Sequence, residues 1–320
     1  MSDNILLDPI FLRKLELLRI QGRRAFPGTM RGERRSTRRG ASVEFADFRK
    51  YEAGDDFRHV DWNIYARLER LMLRQFVEEE DVRIDILIDR SLSMHFGVPM
   101  TKFDFARRAA AALAFLAVSS LDQVGVATFD TEIRLQKRAS RGRGHLMAVL
   151  KFLESLSKDE NLSQKNDSSL EQENQIKEVK THSNRRTSLS SVLRNYQKTT
   201  LRPGILFVIS DFFDEDDFRT AAKLLVQRKF DVNLIQVLAD EEVNPEVAGD
   251  LLMVDSESGD EREITANQSA VAAYKKTLAN FTSSLESFCK SNGLGYTFLQ
   301  ASASFEDLLL KNLIESRMAG

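Results

Sequence analysis

The sequence has 320 residues but only one cysteine, Cys289, and four histidines that are scattered along the chain. One cysteine excludes an internal disulfide and any zinc site built on a Cys-x-x-Cys pair. No histidines form the i, i+4 pair of a helical zinc site. The longest uncharged apolar stretch, residues 109–121, is far shorter than the roughly 18 residues that a membrane span needs. These absences exclude disulfide-stabilised and membrane-spanning classes of protein.

A strong net charge is also missing, because 46 Lys and Arg balance 48 Asp and Glu. Such a balance produces no overall electrostatic field that would attract a nucleic acid or an anionic membrane. The start of the sequence carries acids and arginines where a secretory signal peptide would have an apolar core. Together with the single cysteine, these features predict a cytoplasmic protein.

Charge is nevertheless uneven over the first part of the sequence. Eight arginines and a single acid lie between Arg19 and Arg39, and acidic residues then dominate from Glu44 to Asp61. The arginines favour either phosphate binding, to a nucleic acid or an anionic lipid, or pairing with the acidic stretch. We favour internal pairing and keep nucleic-acid or phosphate binding as the alternative function. Because apolar residues are few, residues 1–80 are predicted to form an irregular, charged preface.

The pattern of apolar residues changes at residue 81, where short runs rich in Val and Ile begin to alternate with helix-like segments. Residues 83–89 and 204–210 are predicted to be buried strands, and residues 103–121 an alanine-rich helix. Strands that alternate with helices favour a parallel sheet that is covered on both faces. We therefore predict an α/β fold over residues 81–320, with a doubly wound, mainly parallel sheet of the Rossmann type.

Residues 157–186 depart from this pattern. They are rich in Ser, Asn, Gln, Lys and Glu and contain few apolar side chains. A segment of this composition buries too little apolar surface to offset the conformational entropy lost when it becomes ordered. We predict a disordered insertion between two helices of the α/β domain.

Polar side chains follow two of the predicted strands. Asp89, Ser91 and Ser93 come at the end of the first strand in a D-x-S-x-S pattern, and Asp211 directly follows the most apolar strand. The carboxyl ends of parallel strands meet at one rim of the sheet, where ligands of open α/β sheets bind. Thr187, at the start of a further predicted helix, is expected at the same rim. Carboxylate and hydroxyl oxygens suit a hard cation, above all Mg²⁺, which also retains several waters.

Such a site favours binding over catalysis. Few anionic groups would hold the ion directly, so it would stay electron-poor and could accept a carboxylate from a partner protein. Catalysis would need an activated nucleophile or a general base as well. No Gly-x-Ser-x-Gly motif accompanies the serines, and no Walker lysine motif is present. We expect a non-enzymatic protein, with metal-assisted hydrolysis as a third possibility behind nucleic-acid binding.

Two family resemblances arise from these residues. The D-x-S-x-S sequence with Met94, Gly97, Thr187 and Asp211 resembles the metal-ion-dependent adhesion site of von Willebrand factor type A domains. The preface resembles the signature of bacterial domain-of-unknown-function family fifty-eight. The residues that carry the second resemblance are Gly32, Glu33, Arg34, Arg35, Gly40, residues 43–49, Gly54, Asp55, Asp56, Arg58, Asp61, Trp62, Ala66 and Arg67.

The first resemblance implies a von Willebrand factor A-like domain that binds Mg²⁺ or another divalent cation such as Mn²⁺ or Ca²⁺. In such a site Ser91 and Ser93 would bind the ion through their hydroxyls. Thr187 would bind or release the ion as the conformation of the site changes. Asp89 and Asp211 would contact the ion or hold its bound water.

The second resemblance implies a preface that wraps onto the α/β domain and a role as an adaptor or chaperone partner of a MoxR-type AAA+ ATPase. From the electron-poor ion at the rim we expect a protein partner that offers an acidic residue, and we expect no small-molecule substrate. One position departs from the type A pattern, because the residue after the second aspartate, often Gly, is Phe212 here. The resemblance therefore does not decide the backbone conformation at Phe212.

Overall fold

A computed structural model describes the protein at residues 13, 43–52, 55–78, 82–119, 122–167, 188–213, 217–245, 249–254 and 261–301. The chain divides into two compact units. The smaller comprises Phe26–Asp81, and every described residue from Val82 onward belongs to the larger. The division lies next to the predicted end of the preface at residue 80. The arginines between Arg19 and Arg39 lie outside the described residues.

The smaller unit is built on an antiparallel strand pair, β1 (Val43–Lys50) and β2 (Met72–Glu78), with helix α1 (Trp62–Leu68) between them. Asp61 caps α1, since its carboxylate accepts hydrogen bonds from two backbone N–H groups of the first turn. The described part of the preface is therefore regular, although the sequence predicted an irregular segment. A β-bulge after Phe45 interrupts the two-residue alternation of β1 and so hides the strand from a periodicity argument.

The larger unit contains eight strands and six helices among the described residues. The strands are β3 (Arg83–Asp89), β4 (Gln123–Phe129), β5 (Ile133–Ser140), β6 (Ile205–Ser210), β7 (Asp231–Leu238), β8 (Gly249–Val254), β9 (Glu261–Ala266) and β10 (Gly295–Gln300). The helices are α2 (Lys102–Ser119), α3 (Arg143–Asp167), α4 (Leu189–Thr199), α5 (Phe218–Gln227), α6 (Asp240–Val243) and α7 (Gln268–Ser291).

Six of these strands form one sheet in the order β10-β7-β6-β3-β4-β5. All neighbours are parallel except β5, which runs antiparallel to β4. Strands β8 and β9 form a separate hairpin. The mostly parallel sheet with flanking helices confirms the predicted α/β class.

Helices cover both faces of this sheet because successive side chains of each strand point to opposite sides. On β3, Ile84, Ile86 and Ile88 pack with residues of α2 and α3. Leu87 points the other way and packs with residues of α4, α5 and α7. Within the described residues, no helix combines the length and apolarity needed to cross a bilayer.

Helix α3 is longer than the sequence predicted. It continues to Asp167, so residues 157–167 of the predicted insertion are helical in the structure. Residues 168–187 lie outside the described residues, and the prediction of a disordered insertion there stays a prediction.

The strand order reverses between β3 and β6. From β3 the chain proceeds to β4 on one side, and from β6 it proceeds to β7 on the other. The two strands pair in parallel with Ile88 beside Ile209, so their carboxyl ends are adjacent. In open α/β sheets this switch point is where ligands bind. We call the carboxyl ends of β3 and β6, together with the residues that follow them and the side chains that contact these residues, the rim.

Candidate metal centre

The rim is organised around Asp89, the last residue of β3, whose carboxylate is buried and held at both oxygens. Its Oδ2 accepts a hydrogen bond of 2.6 Å from the hydroxyl of Ser210, the last residue of β6. Its Oδ1 accepts a hydrogen bond of 2.8 Å from the backbone N–H of Ser91. Two donors, one at the end of β6 and one in the turn after β3, therefore fix the orientation of the carboxylate.

Burial raises the pKa of the Asp89 carboxyl to about 7, and the neighbouring Asp211 carboxylate acts in the same direction. The hydrogen bonds from Ser210 and Ser91 oppose this rise without cancelling it. A buried carboxyl with a raised pKa gains most from a nearby cation, because the cation stabilises the charged form that burial penalises.

The two serines of the D-x-S-x-S sequence face each other across a short turn. A 3-10 helix, Leu92–His95, starts directly after Ser91, and the buried side chain of Met94 anchors it. Its geometry brings the Oγ atoms of Ser91 and Ser93 to 3.0 Å. Neighbouring ligands of an octahedral Mg²⁺, each about 2.1 Å from the ion, lie about 3.0 Å apart. The two hydroxyls therefore fit one edge of a magnesium coordination shell.

Asp211 lies at the same switch point, but its carboxylate already has a cation. The ammonium of Lys102 donates to its Oδ2 at 2.7 Å, and the backbone N–H of Phe213 donates to its Oδ1 at 3.1 Å. Gln236 on β7 donates to its backbone carbonyl at 3.2 Å. The second predicted acid is therefore fixed by groups from three segments of the chain.

The structure shows the backbone conformation of Phe212, which the sequence did not decide. Its φ angle is +60°, in the left-handed region where glycine is favoured. Its ring is buried, with its centroid 5.5 Å from that of Phe218, and its N–H donates to the Ser210 hydroxyl at 2.9 Å. Phe212 thus adopts the backbone conformation that a glycine would adopt more easily, while its side chain joins the core.

The structure brings together four of the five predicted site residues, namely Asp89, Ser91, Ser93 and Asp211. Thr187 lies outside the described residues. No group of three or more His, Cys, Asp and Glu side chains in the described part of the chain is arranged to hold a metal ion. A cation at this rim would therefore depend on hydroxyl ligands.

Sequence reasoning did not identify three further residues of the rim. Ser210 was detectable, since it is the one polar residue of an otherwise apolar strand. Lys102 and Glu242 had no local signal. Lys102 lies 109 residues from Asp211 and 140 residues from Glu242 along the chain. Only the strand order brings these charges together.

Apolar side chains are exposed on the loop that carries the serines. The exposed fractions are 61% for Leu92, 51% for Phe96 and 77% for Val98. Large apolar residues grouped on a surface are typical of contact sites for other proteins.

A family search matches residues 47–282 to the family described as "Protein of unknown function DUF58". Curated relatives include the uncharacterised proteins Rv1480 of Mycobacterium tuberculosis (strain ATCC 25618 / H37Rv) and Mb1516 of Mycobacterium bovis. Each is 24% identical over 259 residues, which cover 81% of this chain and 74% of the relative.

Solved structures give weaker likenesses. BatB, a conserved hypothetical protein from Bacteroides thetaiotaomicron, is 16% identical with a TM-score of 0.42. An aerotolerance-related membrane protein from Bacteroides fragilis NCTC 9343 is 18% identical with a TM-score of 0.42. Both matches cover 74% of this chain and 99% of the other. These scores are too low to assign a fold family or a function.

Proposed function

Since the chain belongs to the DUF58 family of proteins of unknown function, we propose that it is a non-enzymatic, divalent-metal-dependent protein-binding module. Its larger unit would act as a von Willebrand factor A-like domain. The observation that carries the proposal is the pair of hydroxyls of Ser91 and Ser93, 3.0 Å apart beside the buried carboxylate of Asp89 at the switch point of the sheet.

Each of these residues has a part in the proposed site. Ser91 and Ser93 would offer hydroxyl oxygens to Mg²⁺, or to Mn²⁺ or Ca²⁺, and Thr187 would add a third. Asp89 would balance the charge of the ion and hold its bound water, since both of its oxygens keep lone pairs beyond the hydrogen bonds they accept. When bound, the ion supplies a Lewis-acidic position for a carboxylate of the partner.

The surroundings of the serines favour a protein as the partner. Leu92, Phe96 and Val98 place exposed apolar area on the same loop as the two hydroxyls. A partner that offers a carboxylate among apolar side chains would gain both a charge-assisted contact and buried apolar surface. A polyanion such as nucleic acid would leave that apolar area uncovered.

The hydrogen bonding of the serines favours binding over catalysis. The Ser91 hydroxyl is paired with that of Ser93, and it also interacts with the buried Asp89 carboxyl, whose two oxygens already accept hydrogen bonds from Ser210 and from the Ser91 backbone N–H. A nucleophilic serine needs an adjacent base to remove its proton. We therefore propose no enzymatic activity and no small-molecule substrate.

We include in the proposal a MoxR-type AAA+ ATPase as the protein partner and a cytoplasmic location. The support for the ATPase is the family resemblance of the preface. An oligomeric ATPase would offer repeated acidic sites, so that a weak single contact could become useful through avidity. The single cysteine fits a reducing compartment.

The test has two measurements on the full chain. First, Mg²⁺ should raise the melting temperature, and saturation at 100 times the dissociation constant would add about 2.7 kcal/mol to the free energy of unfolding. The double variant Ser91→Ala/Ser93→Ala should lose this shift. A matched control, Ser287→Ala/Ser291→Ala, removes two exposed hydroxyls from α7 and should keep it.

Second, surface plasmon resonance against the ATPase should show binding in Mg²⁺ that is lost in EDTA and in Asp89→Ala. Equal binding in all three conditions contradicts the proposed role of the metal. Binding that persists in EDTA but falls steeply with salt would favour the alternative, phosphate or nucleic-acid binding through Arg19–Arg39.

A further inference from the structure

Lys102, the first residue of α2, is fully buried, with an exposed fraction of 0%. Its ammonium contacts the Oδ2 of Asp211 at 2.7 Å and the Oε1 of Glu242 at 2.6 Å. It also lies 5.3 Å from the centre of the Phe213 ring. Burying a charge is costly unless it is paired and hydrogen-bonded, and these contacts provide that pairing.

The two carboxylates are themselves held in place. The second oxygen of Glu242 accepts a hydrogen bond of 2.8 Å from the N–H of Ala239, which precedes α6. The second oxygen of Asp211 accepts from the N–H of Phe213 in the turn after β6. Lys102 therefore joins three segments at the carboxyl edge of the sheet, namely the start of α2, the turn after β6 and the short helix α6 after β7.

This arrangement limits what Asp211 can offer to an ion. The affinity of a hard-cation site rises with the number of its anionic ligands. The ammonium occupies one oxygen of Asp211 and neutralises part of the negative charge beside Asp89. It also repels any second cation at short range, because like charges in a poorly solvated site interact strongly.

We propose that Lys102 is a built-in cation that competes with the divalent ion for Asp211 and so lowers the metal affinity of the rim. The inference rests on the proposed function in taking Ser91 and Ser93 as the position of the ion. With the lysine in place, the ion is held by hydroxyls and water and keeps a position open for the partner. With the lysine displaced, Asp211 becomes a ligand and the site holds its ion more tightly.

Two variants and a control test this competition. Lys102→Met keeps a long side chain and removes the charge. Lys102→Met/Glu242→Gln also removes one negative charge, so that the net charge of the cluster is unchanged while Asp211 is freed. Lys223→Met removes an exposed lysine from α5 and controls for the loss of one positive charge elsewhere.

The measurement is a titration with Mn²⁺ in which the free ion is counted by its electron paramagnetic resonance signal. We expect both Lys102 variants to bind Mn²⁺ at least tenfold more tightly than the parent protein and Lys223→Met to bind it equally. Affinity that is equal to or weaker than that of the parent protein in the folded Lys102 variants overturns the inference.

This outcome is separable from the outcome for the proposed function. A parent protein that binds no Mn²⁺ contradicts the proposed metal site, and the Lys102 variants still decide the inference by gaining or not gaining Mn²⁺ binding. Should neither variant fold, nuclear magnetic resonance of the lysine ¹⁵Nζ in the parent protein replaces them. A Lys102 resonance that moves on addition of Mg²⁺ supports competition, and one that does not move overturns it.

Discussion

The hydroxyl of Ser210 lies 2.6 Å from the carboxylate of Asp89, and the two residues are 121 positions apart in the sequence. The same hydroxyl accepts a hydrogen bond from the N–H of Phe212. Ser210 therefore connects the end of β3 with the turn that carries Asp211. Both halves of the rim depend on this one side chain.

Removal of the Ser210 hydroxyl should destabilise the fold at the proposed metal site. Ser210→Ala leaves the buried Asp89 carboxylate with one donor fewer, which we expect to cost about 1–3 kcal/mol in the free energy of unfolding. Urea denaturation measures this loss. Ser210→Thr keeps the hydroxyl and should retain most of the stability. Equal stability of the alanine and threonine variants would contradict the role of the hydrogen bond.

The raised pKa of Asp89 predicts a pH dependence of stability in EDTA. A folded-state pKa of about 7 lies above the ordinary value of 3.8, so the folded protein binds more protons than the unfolded chain between these pH values. The contribution of Asp89 to stability is therefore greatest below about pH 4 and is lost as the pH rises towards 7. Asp89→Asn has no such titration. Its stability relative to the parent protein should increase with pH over this window, whereas parallel profiles would contradict the assignment.

The left-handed conformation of Phe212 is testable with two substitutions. Both Phe212→Gly and Phe212→Ala lose the buried ring and should destabilise the protein by about 3–5 kcal/mol. Glycine adopts a positive φ without the steric cost of about 1–2 kcal/mol that alanine incurs. Phe212→Gly should therefore be about 1 kcal/mol more stable than Phe212→Ala in thermal or urea unfolding. The reverse order would show that the turn has a different backbone conformation.

Exposed apolar residues beside the serines should contribute to partner binding without supporting the fold. Leu92→Ser and Val98→Ser change exposed side chains, so the free energy of unfolding should move by less than about 0.5 kcal/mol. Binding to the proposed MoxR-type ATPase partner, measured by surface plasmon resonance, should weaken at least tenfold. Leu201→Ser is the matched control, because Leu201 is 91% exposed and precedes β6 at the opposite edge of the sheet. A similar loss in all three variants would argue against a specific surface.

Cys289 should be chemically inert in the folded protein. Burial against the sheet raises the pKa of its thiol to about 12, and the reactive species is the thiolate. At pH 8 we expect no measurable reaction with a disulfide reagent until the protein is unfolded. Rapid modification of the native protein would show that α7 opens readily from the sheet.

Much of the fold and part of the site could be predicted because they produce recognisable patterns in short stretches of the sequence. The runs of Val, Ile and Leu in β3 and β6 record burial on both faces of a sheet. Asp89 ends the first run and Asp211 directly follows the second, so both lie at the same edge of the sheet because the strands are parallel, and the strand order makes them neighbours. The strand pair β1–β2 was missed because the bulge after Phe45 breaks its alternation.

The sequence by itself determined the α/β class and the placement of Asp89, Ser91, Ser93 and Asp211 at one rim, because periodicity and strand ends are properties of neighbouring residues. Only the tertiary structure decided which charges meet there. Lys102 reaches Asp211 and Glu242 because the strand order puts β6 and β7 beside each other and next to the start of α2. Electrostatic energy depends on distance in space, and a pairing across 109 or 140 residues has no counterpart in the local sequence.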